Sequence, residues 1–147
     1  MKLGNVVMVP LVLLVALVFR RLRLAGGLAG AGLLAWWLAK VIKQIVPRGR
    51  PAELLTDVML RDAPATGNGY ISGHAAVAFL IAVASPYMNR WVKVVAWMLG
   101  IGVCLARVYV GAHLPLDVVG GAAFGFVIGS LMNLIVGVPS TMVKSLK

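Results

Sequence analysis

The sequence predicts an all-α fold, a polytopic helical membrane bundle of about five transmembrane helices with polar residues gathered at one membrane face. Hydrophobic residues make up 61% of the 147 residues, and charged residues only 12%. The apolar residues form long runs, and most charges lie between those runs. A soluble core of this size cannot bury so large an apolar fraction. We therefore expect a single membrane domain over residues 1–147.

The apolar runs predict spans at residues 4–19, 25–42, 73–88, 94–110 and 115–138. A helix needs about 20 residues to cross a bilayer, with a range of about 17–25. The third and fourth runs approach this length when their polar ends lie in the interface. The first run follows Lys2 and contains Pro10, so it also resembles a signal-peptide core. Basic residues stand where a cleavage site would be, which favours a spanning helix.

The connection over residues 51–71 is the long one, and it holds three of the four acidic residues. Pro51 suits the first turn of a helix. Apolar residues after it are spaced for one face of a short surface helix: Leu54, Leu55, Val58 and Met59. Residues 67–69 (Gly-Asn-Gly) predict a turn. We interpret the glycines at 26, 27, 30 and 32 and at 120, 121, 125 and 129 as sites of close helix packing.

The basic residues predict which side of the membrane each connection occupies. One side carries no acidic residue and seven basic residues: Arg20, Arg21, Arg23, Arg90, Lys93, Lys144 and Lys147. The other side carries all four acids. The positive-inside rule places the first side in the cytoplasm. We therefore expect the polar clusters on the non-cytoplasmic face of the cell membrane.

The net charge of +10 does not indicate nucleic-acid binding, because the charges flank apolar spans and form no continuous basic face. Cys104 is the only cysteine, which excludes an intrachain disulfide.

A first polar cluster, Lys43 with Arg50-Pro51, closes the second span. Basic side chains at a helix end often only anchor it among lipid headgroups. Here Pro47 and Gly49 end the helix, so Arg50 can fold back towards Lys43. A guanidinium fork and an ammonium point charge together suit phosphate oxygens.

A second cluster, Ser72-Gly73-His74, begins the third span. Capping by Ser72 alone is the simpler interpretation. A helix N-terminus also offers free N–H groups and a positive dipole end to phosphate. Gly73 allows close approach to the backbone, and His74 can donate a proton to a leaving oxygen. A single interfacial histidine is nevertheless more often structural.

A third cluster joins Arg107, at the end of the fourth span, to His113 and Asp117 at the start of the fifth. Residues four apart on a helix share a face. Asp117 can therefore accept a hydrogen bond from one ring nitrogen of His113 and leave the other as base or nucleophile. Two histidines and Asp117 could also bind zinc. The three nearby cations would repel a divalent metal, which disfavours that alternative.

In order and spacing, the clusters resemble the type-2 phosphatidic acid phosphatases, membrane lipid phosphatases related to vanadium haloperoxidases. The family pattern is Lys-x6-Arg-Pro, Pro-Ser-Gly-His and Ser-Arg-x5-His-x3-Asp. The resemblance covers about residues 25–138. This sequence departs from the pattern at Ile71, which replaces Pro, and at Ala106, which replaces Ser and removes a hydroxyl near the expected phosphate pocket. Family members usually have six spans, so the chain is either a minimal member or a piece of a longer one.

The resemblance implies a role for each matching residue. His113 would be the nucleophile that forms a phosphohistidine, Asp117 would orient it, and His74 would protonate the leaving oxygen. The implied phosphate-binding groups are Lys43, Arg50, Ser72, Gly73 and Arg107. No metal or other cofactor is implied.

The expected function is a phosphatase acting on a lipid phosphate or diphosphate, with an isoprenoid carrier phosphate as the preferred substrate class. A glycerophospholipid phosphate is the second choice. Two alternatives stay open: a phosphotransferase that passes the group to an alcohol or another phosphate, and a degenerate, non-catalytic lipid-binding membrane module. Expected partners are the lipid substrate and the surrounding membrane lipids.

Overall fold

The computed structural model describes residues 22–61, 63–83 and 90–136, and within them the chain is helical, without a β-strand. The helices are α1 (Leu22–Ile45), α2 (Pro51–Leu54), α3 (Gly73–Val83), α4 (Arg90–Tyr109) and α5 (Pro115–Val136). The predicted all-α fold class is confirmed, and the second to fifth predicted spans coincide with α1, α3, α4 and α5. The first predicted span, residues 4–19, lies outside the described residues, as do residues 84–88 of the third and 137–138 of the fifth.

Within the described residues, three helices are long and apolar enough to cross a membrane: Gly26–Ile45, Arg90–Tyr109 and Pro115–Val136. Helix α3 is apolar but shorter in its described part. Large apolar side chains cover the outer face of α4 and are exposed: Trp91, Val94, Val95, Met98, Leu99 and Leu105. A contiguous apolar face of this kind suits lipid rather than water. The bundle is therefore built for a bilayer.

Helix α3 lies at the centre of the bundle, where it contacts α1, α4 and α5. Glycines bring α5 against it, because a Cβ at Gly121 or Gly125 would overlap the carbonyl oxygen of Ser72 or Ala76. Backbone contact of this kind is how small residues hold membrane helices together. The predicted packing role is confirmed for these glycines of α5.

The glycines of α1 behave differently. A Cβ at Gly27 would meet Val136 and Met132 of α5, whereas no described atom lies within 4 Å of a Cβ at Gly26, Gly30 or Gly32. For these three positions the described residues do not show the predicted close packing. Gly27 lies where the C-terminal part of α5 reaches α1.

The connection between α1 and α3 is mostly extended. Its helix is limited to Pro51–Leu54, and Leu55 already has an extended backbone (φ −129°, ψ 140°). Pro51 does occupy the first turn, as predicted, but the expected helical face through Val58 and Met59 is wrong. That stretch instead packs on the α4–α5 turn, where Arg61 N–H donates to the Val110 carbonyl over 3.1 Å. Backbone bonding to a neighbouring segment has replaced helical bonding.

Candidate active site

Four helix ends meet at one end of the bundle: the C-termini of α1 and α4 and the N-termini of α3 and α5. Direct hydrogen bonds join them. Lys43 Nζ donates to the Gly69 carbonyl over 3.2 Å, and Arg50 Nη1 donates to the Ala112 carbonyl over 2.9 Å. Ser72 N–H donates to the backbone carbonyl of Asp117 over 2.9 Å. The structure thus brings together three polar clusters that are far apart in the sequence.

The turn at residues 67–69 holds Lys43 in place. Lys43 Nζ donates to the Asn68 carbonyl over 2.9 Å, and the Asn68 side-chain amide donates back to the Lys43 carbonyl over 2.7 Å. Gly67 has φ +103°, a left-handed conformation that glycine adopts without strain. The sequence predicted this turn but not its contact with the site. The turn fixes where α1 ends and where its lysine points.

Glu53 fixes the backbone from which Arg50 extends. One carboxylate oxygen accepts the Arg50 N–H over 3.0 Å, and the other accepts the Gly67 N–H over 3.2 Å. Glu53 therefore ties the start of α2 to the 67–69 turn, and Arg50 reaches the α4–α5 turn from that fixed point. Burial of Arg50 lowers its pKa, while the charges of Glu53 and Asp117 act in the opposite direction.

Ser72 immediately precedes α3 and is fully buried, at 0% exposure. Its Oγ has no hydrogen-bond partner among the described protein atoms. The simple capping interpretation predicts a bond from this oxygen to the first turn, which those atoms do not show. Beside it, no described atom lies within 4 Å of a Cβ at Gly73. A ligand oxygen can therefore approach the N-terminal N–H groups of α3. His74 follows, within electrostatic range of Arg107 and Lys43.

His113 lies in the turn two residues before α5 begins, and Asp117 lies in the first turn of α5. Both are buried, at 4% and 0% exposure. His113 Nδ1 is 3.9 Å from Asp117 Oδ2, which is an ion-pair distance and too long for a hydrogen bond. The imidazole therefore faces the carboxylate as expected, but the predicted direct hydrogen bond is not formed. The same Oδ2 accepts the Leu114 N–H over 2.9 Å.

The sequence reasoning missed Arg48. Its Nη1 lies 3.2 Å from Asp117 Oδ1 and forms an ion pair with that carboxylate. The sequence placed Arg48 among ordinary basic residues on the non-cytoplasmic side, because nothing local distinguishes it from a headgroup anchor. Its position between Pro47 and Gly49, where the chain leaves α1, was the available signal.

Four buried polar atoms in the site lack a hydrogen-bond partner among the described residues: Arg50 Nε, Ser72 Oγ, Arg107 Nε and His113 Nδ1. Buried polar groups are normally paired, so unpaired ones call for a specific explanation. Three of the four atoms are donors or hydroxyls on residues predicted to bind phosphate. In the described part of the chain, no three His, Cys, Asp or Glu side chains converge as a metal site would require.

The site is strongly cationic around His113. Burial, followed by the charges of Lys43, Arg107 and Arg50, lowers the pKa of His113 from 6.5 to about 3, while the nearby Gly69 backbone acts in the opposite direction. The imidazole is therefore neutral at physiological pH, the state in which a ring nitrogen can attack. Because the unfolded chain binds the additional proton, this group favours the folded state above pH 6.5 and opposes it as the pH falls towards 3.

The lowered pKa of His113 can be measured directly, because the chain has only two histidines. His74→Ala, purified without a histidine tag, keeps a single imidazole. We expect its ¹⁵N chemical shifts to stay those of the neutral ring from pH 8 down to about 5, because the pKa of His113 lies far below that of an ordinary histidine. A titration midpoint near the pKa of an ordinary histidine would show that burial and the three cations do not lower the pKa of His113.

The two departures from the family pattern have different surroundings. Ile71 is buried, at 3% exposure, and packs beside Gly120. Ala106 is exposed on α4. The residue in the proline position is therefore enclosed by the bundle, whereas the missing serine hydroxyl would lie at its surface, not in the buried site.

A family model described as the PAP2 superfamily matches residues 20–138. A relative named undecaprenyl-diphosphatase, from Sulfolobus acidocaldarius, is 32% identical in an alignment of 114 residues that covers 74% of this chain and 54% of that protein. A lipid A 1-phosphatase from Rhizobium johnstonii is 35% identical in an alignment of 94 residues that covers 60% of this chain and 38% of that protein. The chain thus spans about half the length of the first of these relatives and less of the second.

A solved structure agrees with these sequence matches. The crystal structure of Aquifex aeolicus LpxE superposes with a TM-score of 0.77 and 31% identity, over 86% of this chain and 75% of that one. The family match covers most of the chain, including all three polar clusters, and its helical frame is the one seen in LpxE. On these grounds the chain belongs to the PAP2 superfamily.

Proposed function

We propose that this chain is a metal-independent phosphatase of lipid phosphates or diphosphates that works through a phosphohistidine intermediate. The observation that carries the proposal is the set of buried, unpartnered polar atoms on Arg50, Ser72, Arg107 and His113. A tetrahedral phosphoryl group offers acceptor oxygens for the first three and an electrophilic phosphorus for the imidazole. Membership of a family with relatives named as phosphatases supports the same conclusion.

In the first step, His113 attacks phosphorus. Because Nδ1 faces Asp117, the attacking atom is Nε2, whose electron pair forms the N–P bond as the bond from phosphorus to the lipid oxygen breaks. His74, at the N-terminus of α3, gives its proton to that leaving oxygen. Asp117 stabilises the positive charge that the phosphorylated ring acquires. The neutral state of His113 in the folded protein makes its electron pair available.

In the second step, water attacks the phosphohistidine. His74, now neutral, takes the proton from the water, and the N–P electron pair returns to Nε2. Inorganic phosphate leaves and His113 is regenerated. Throughout, Lys43, Arg50 and Arg107 stabilise the negative charge on the phosphoryl oxygens, together with Ser72 and the Gly73 backbone. Fixed donors of this kind supply the charge stabilisation that a metal ion supplies elsewhere.

For the substrate class, we propose an isoprenoid carrier phosphate or diphosphate. Of the two relatives compared by sequence above, the one named undecaprenyl-diphosphatase matches more of this chain than the lipid A 1-phosphatase does, 74% against 60%. Both names describe a phosphate on a long lipid. The apolar outer faces of the bundle suit a bilayer, where a long lipid presents its headgroup at the surface, and this supports the proposed substrate class.

A panel of substrates in detergent micelles tests the activity. We expect phosphate release from polyprenyl phosphate and diphosphate to exceed release from phosphatidic acid and from lipid A, and to continue in excess chelator, because the site carries its own cations. A matched assay with an added alcohol separates transfer from hydrolysis. If turnover stops in chelator and returns with zinc or magnesium, the metal-independent mechanism is wrong. If no lipid phosphate is cleaved, the non-catalytic alternative is supported.

We propose that the site faces away from the cytoplasm, on the strength of the basic residues on the opposite side. In a Cys104→Ser background, single substitutions Thr66→Cys and Asn89→Cys test this. Thr66 is exposed in the connection next to the site. An impermeant thiol reagent applied to intact cells should label position 66 and spare position 89 until the cells are opened. The reverse labelling pattern would show an inverted topology.

A further inference from the structure

Asp117 is the most enclosed charged group of the site, and its partner is a residue with no role in the reaction as described so far. We propose that Arg48 is a positioning residue that holds the Asp117 carboxylate towards His113. This inference rests on the proposed phosphohistidine mechanism and adds a member to its machinery. In this proposal Arg48 differs in role from the cations that we propose to bind phosphate.

The two oxygens of Asp117 have different partners. Oδ1 pairs with Arg48 Nη1 over 3.2 Å, while Oδ2 accepts the Leu114 N–H over 2.9 Å and faces His113 Nδ1 at 3.9 Å. Fixing Oδ1 fixes the plane of the carboxylate, and the plane decides where Oδ2 points. A carboxylate with 0% exposure also needs a compensating charge, because a lone buried ion is costly.

The backbone of Arg48 is itself fixed against the site. Its carbonyl accepts the Gly69 N–H over 2.7 Å, and its own N–H donates to the Val46 carbonyl over 2.8 Å. Gly69 is wedged between this segment and the carboxylate, since a Cβ there would lie 3.2 Å from Asp117 Oδ2 and 3.5 Å from the Arg48 carbonyl. The Arg48 guanidinium therefore extends to Asp117 from a backbone that hydrogen bonds hold in place.

Arg48 differs from the phosphate-binding arginines in its surroundings. The cations whose charge acts on His113 are Lys43, Arg107 and Arg50, and both of those arginines carry a buried Nε without a described partner. Arg48 Nη1 instead contacts the Asp117 carboxylate, and the Arg48 side chain is 32% exposed. Its contact is with the group that orients the nucleophile and not with the space where phosphate would lie.

Arg48→Gln tests the inference in the detergent-solubilised full chain with polyprenyl phosphate as substrate. Contacting residues that share one network typically couple strongly, so we expect kcat to fall about 10- to 100-fold while KM changes less than about 3-fold. Arg48→Lys keeps the charge and should recover a large part of kcat. Arg61→Gln is the matched control: the Arg61 side chain lies in the same connection but donates to the backbone carbonyl of Tyr109, and its loss should leave kcat within about 2-fold.

A double substitution identifies the partner. In an Asp117→Asn background, Arg48→Gln should lower kcat by less than about 3-fold, because the carboxylate it positions is already gone. If Arg48→Gln lowers kcat by the same factor with and without Asp117→Asn, the inference is wrong. A raised KM with unchanged kcat in Arg48→Gln would also overturn it and would indicate that Arg48 is a phosphate ligand. Equal loss in Arg48→Lys and Arg48→Gln with a matching fall in melting temperature would reduce its role to folding. An inactive wild-type protein would instead refute the proposed function.

Discussion

Replacement of His113 by alanine should abolish turnover and leave no phosphoenzyme to trap. The imidazole is buried, neutral at physiological pH and surrounded by the cations that we propose to bind phosphate, so it is the side chain that we expect to attack. Loss of a nucleophile in a comparable hydrolase costs roughly 10⁶-fold in kcat. We expect a loss of this order for His113→Ala, with melting temperature close to that of the wild type because a neutral ring is removed without leaving a buried charge.

The measurement is a rapid quench with ³²P-labelled substrate, followed by detection of base-stable phosphohistidine. His74→Ala is the matched comparison, since it removes the other histidine of the chain. With an activated substrate, whose leaving group needs no proton, His74→Ala should still accumulate phosphoenzyme. The opposite outcome, phosphohistidine in His113→Ala and none in His74→Ala, would reverse the two roles.

The second large effect is expected for Asp117→Asn. The amide keeps the shape of the side chain but loses the negative charge, and with it the ion pair with Arg48 and the proposed stabilisation of a phosphorylated ring. In a serine protease the corresponding change at an orienting carboxylate lowers kcat about 10⁴-fold, and we expect a loss of about the same size. KM should change little, because Asp117 faces the nucleophile and not the phosphate.

Steady-state kinetics on the polyprenyl phosphate substrate measure this effect, with Asp57→Asn as the control. Asp57 is an exposed acid in the same connection as Arg48 and Glu53. Its replacement should leave kcat within about 2-fold. A kcat for Asp117→Asn within 10-fold of the wild type would mean that the 3.9 Å approach to His113 is incidental, and that the imidazole is oriented by its own turn.

Much of the fold follows from the sequence because hydropathy and chain length act locally. A run of apolar residues long enough to cross a bilayer must satisfy its own backbone hydrogen bonds, so it becomes a helix whatever surrounds it. The predicted spans that fall in described residues are α1, α3, α4 and α5 for this reason. The helix that begins at Pro51 is shorter than predicted, because the residues after Leu54 bond to the α4–α5 turn, as Arg61 N–H does to the Val110 carbonyl, and local spacing does not reveal that contact.

The residue set of the site could also be collected from the sequence, since polar side chains at the ends of apolar spans are costly unless they have a purpose. Lys43, Arg50, Ser72, Arg107 and His113 were identified in this way. Arg48 was missed, because a basic residue beside an apolar span has an ordinary explanation in headgroup anchoring, and its position between Pro47 and Gly49 was the one local signal.

Only the tertiary structure decided which charged side chains of the site form pairs. Arg48 and Asp117 are 69 residues apart, and their pairing depends on where α1 ends relative to the first turn of α5. The His113–Asp117 distance depends on the α4–α5 turn, which keeps His113 outside the helix that carries Asp117. The sequence by itself determined the helices and the chemical groups at their ends. The packing of those ends, through glycine contacts and the 67–69 turn, determined their geometry, because hydrogen bonds and ion pairs depend on distances that no local pattern encodes.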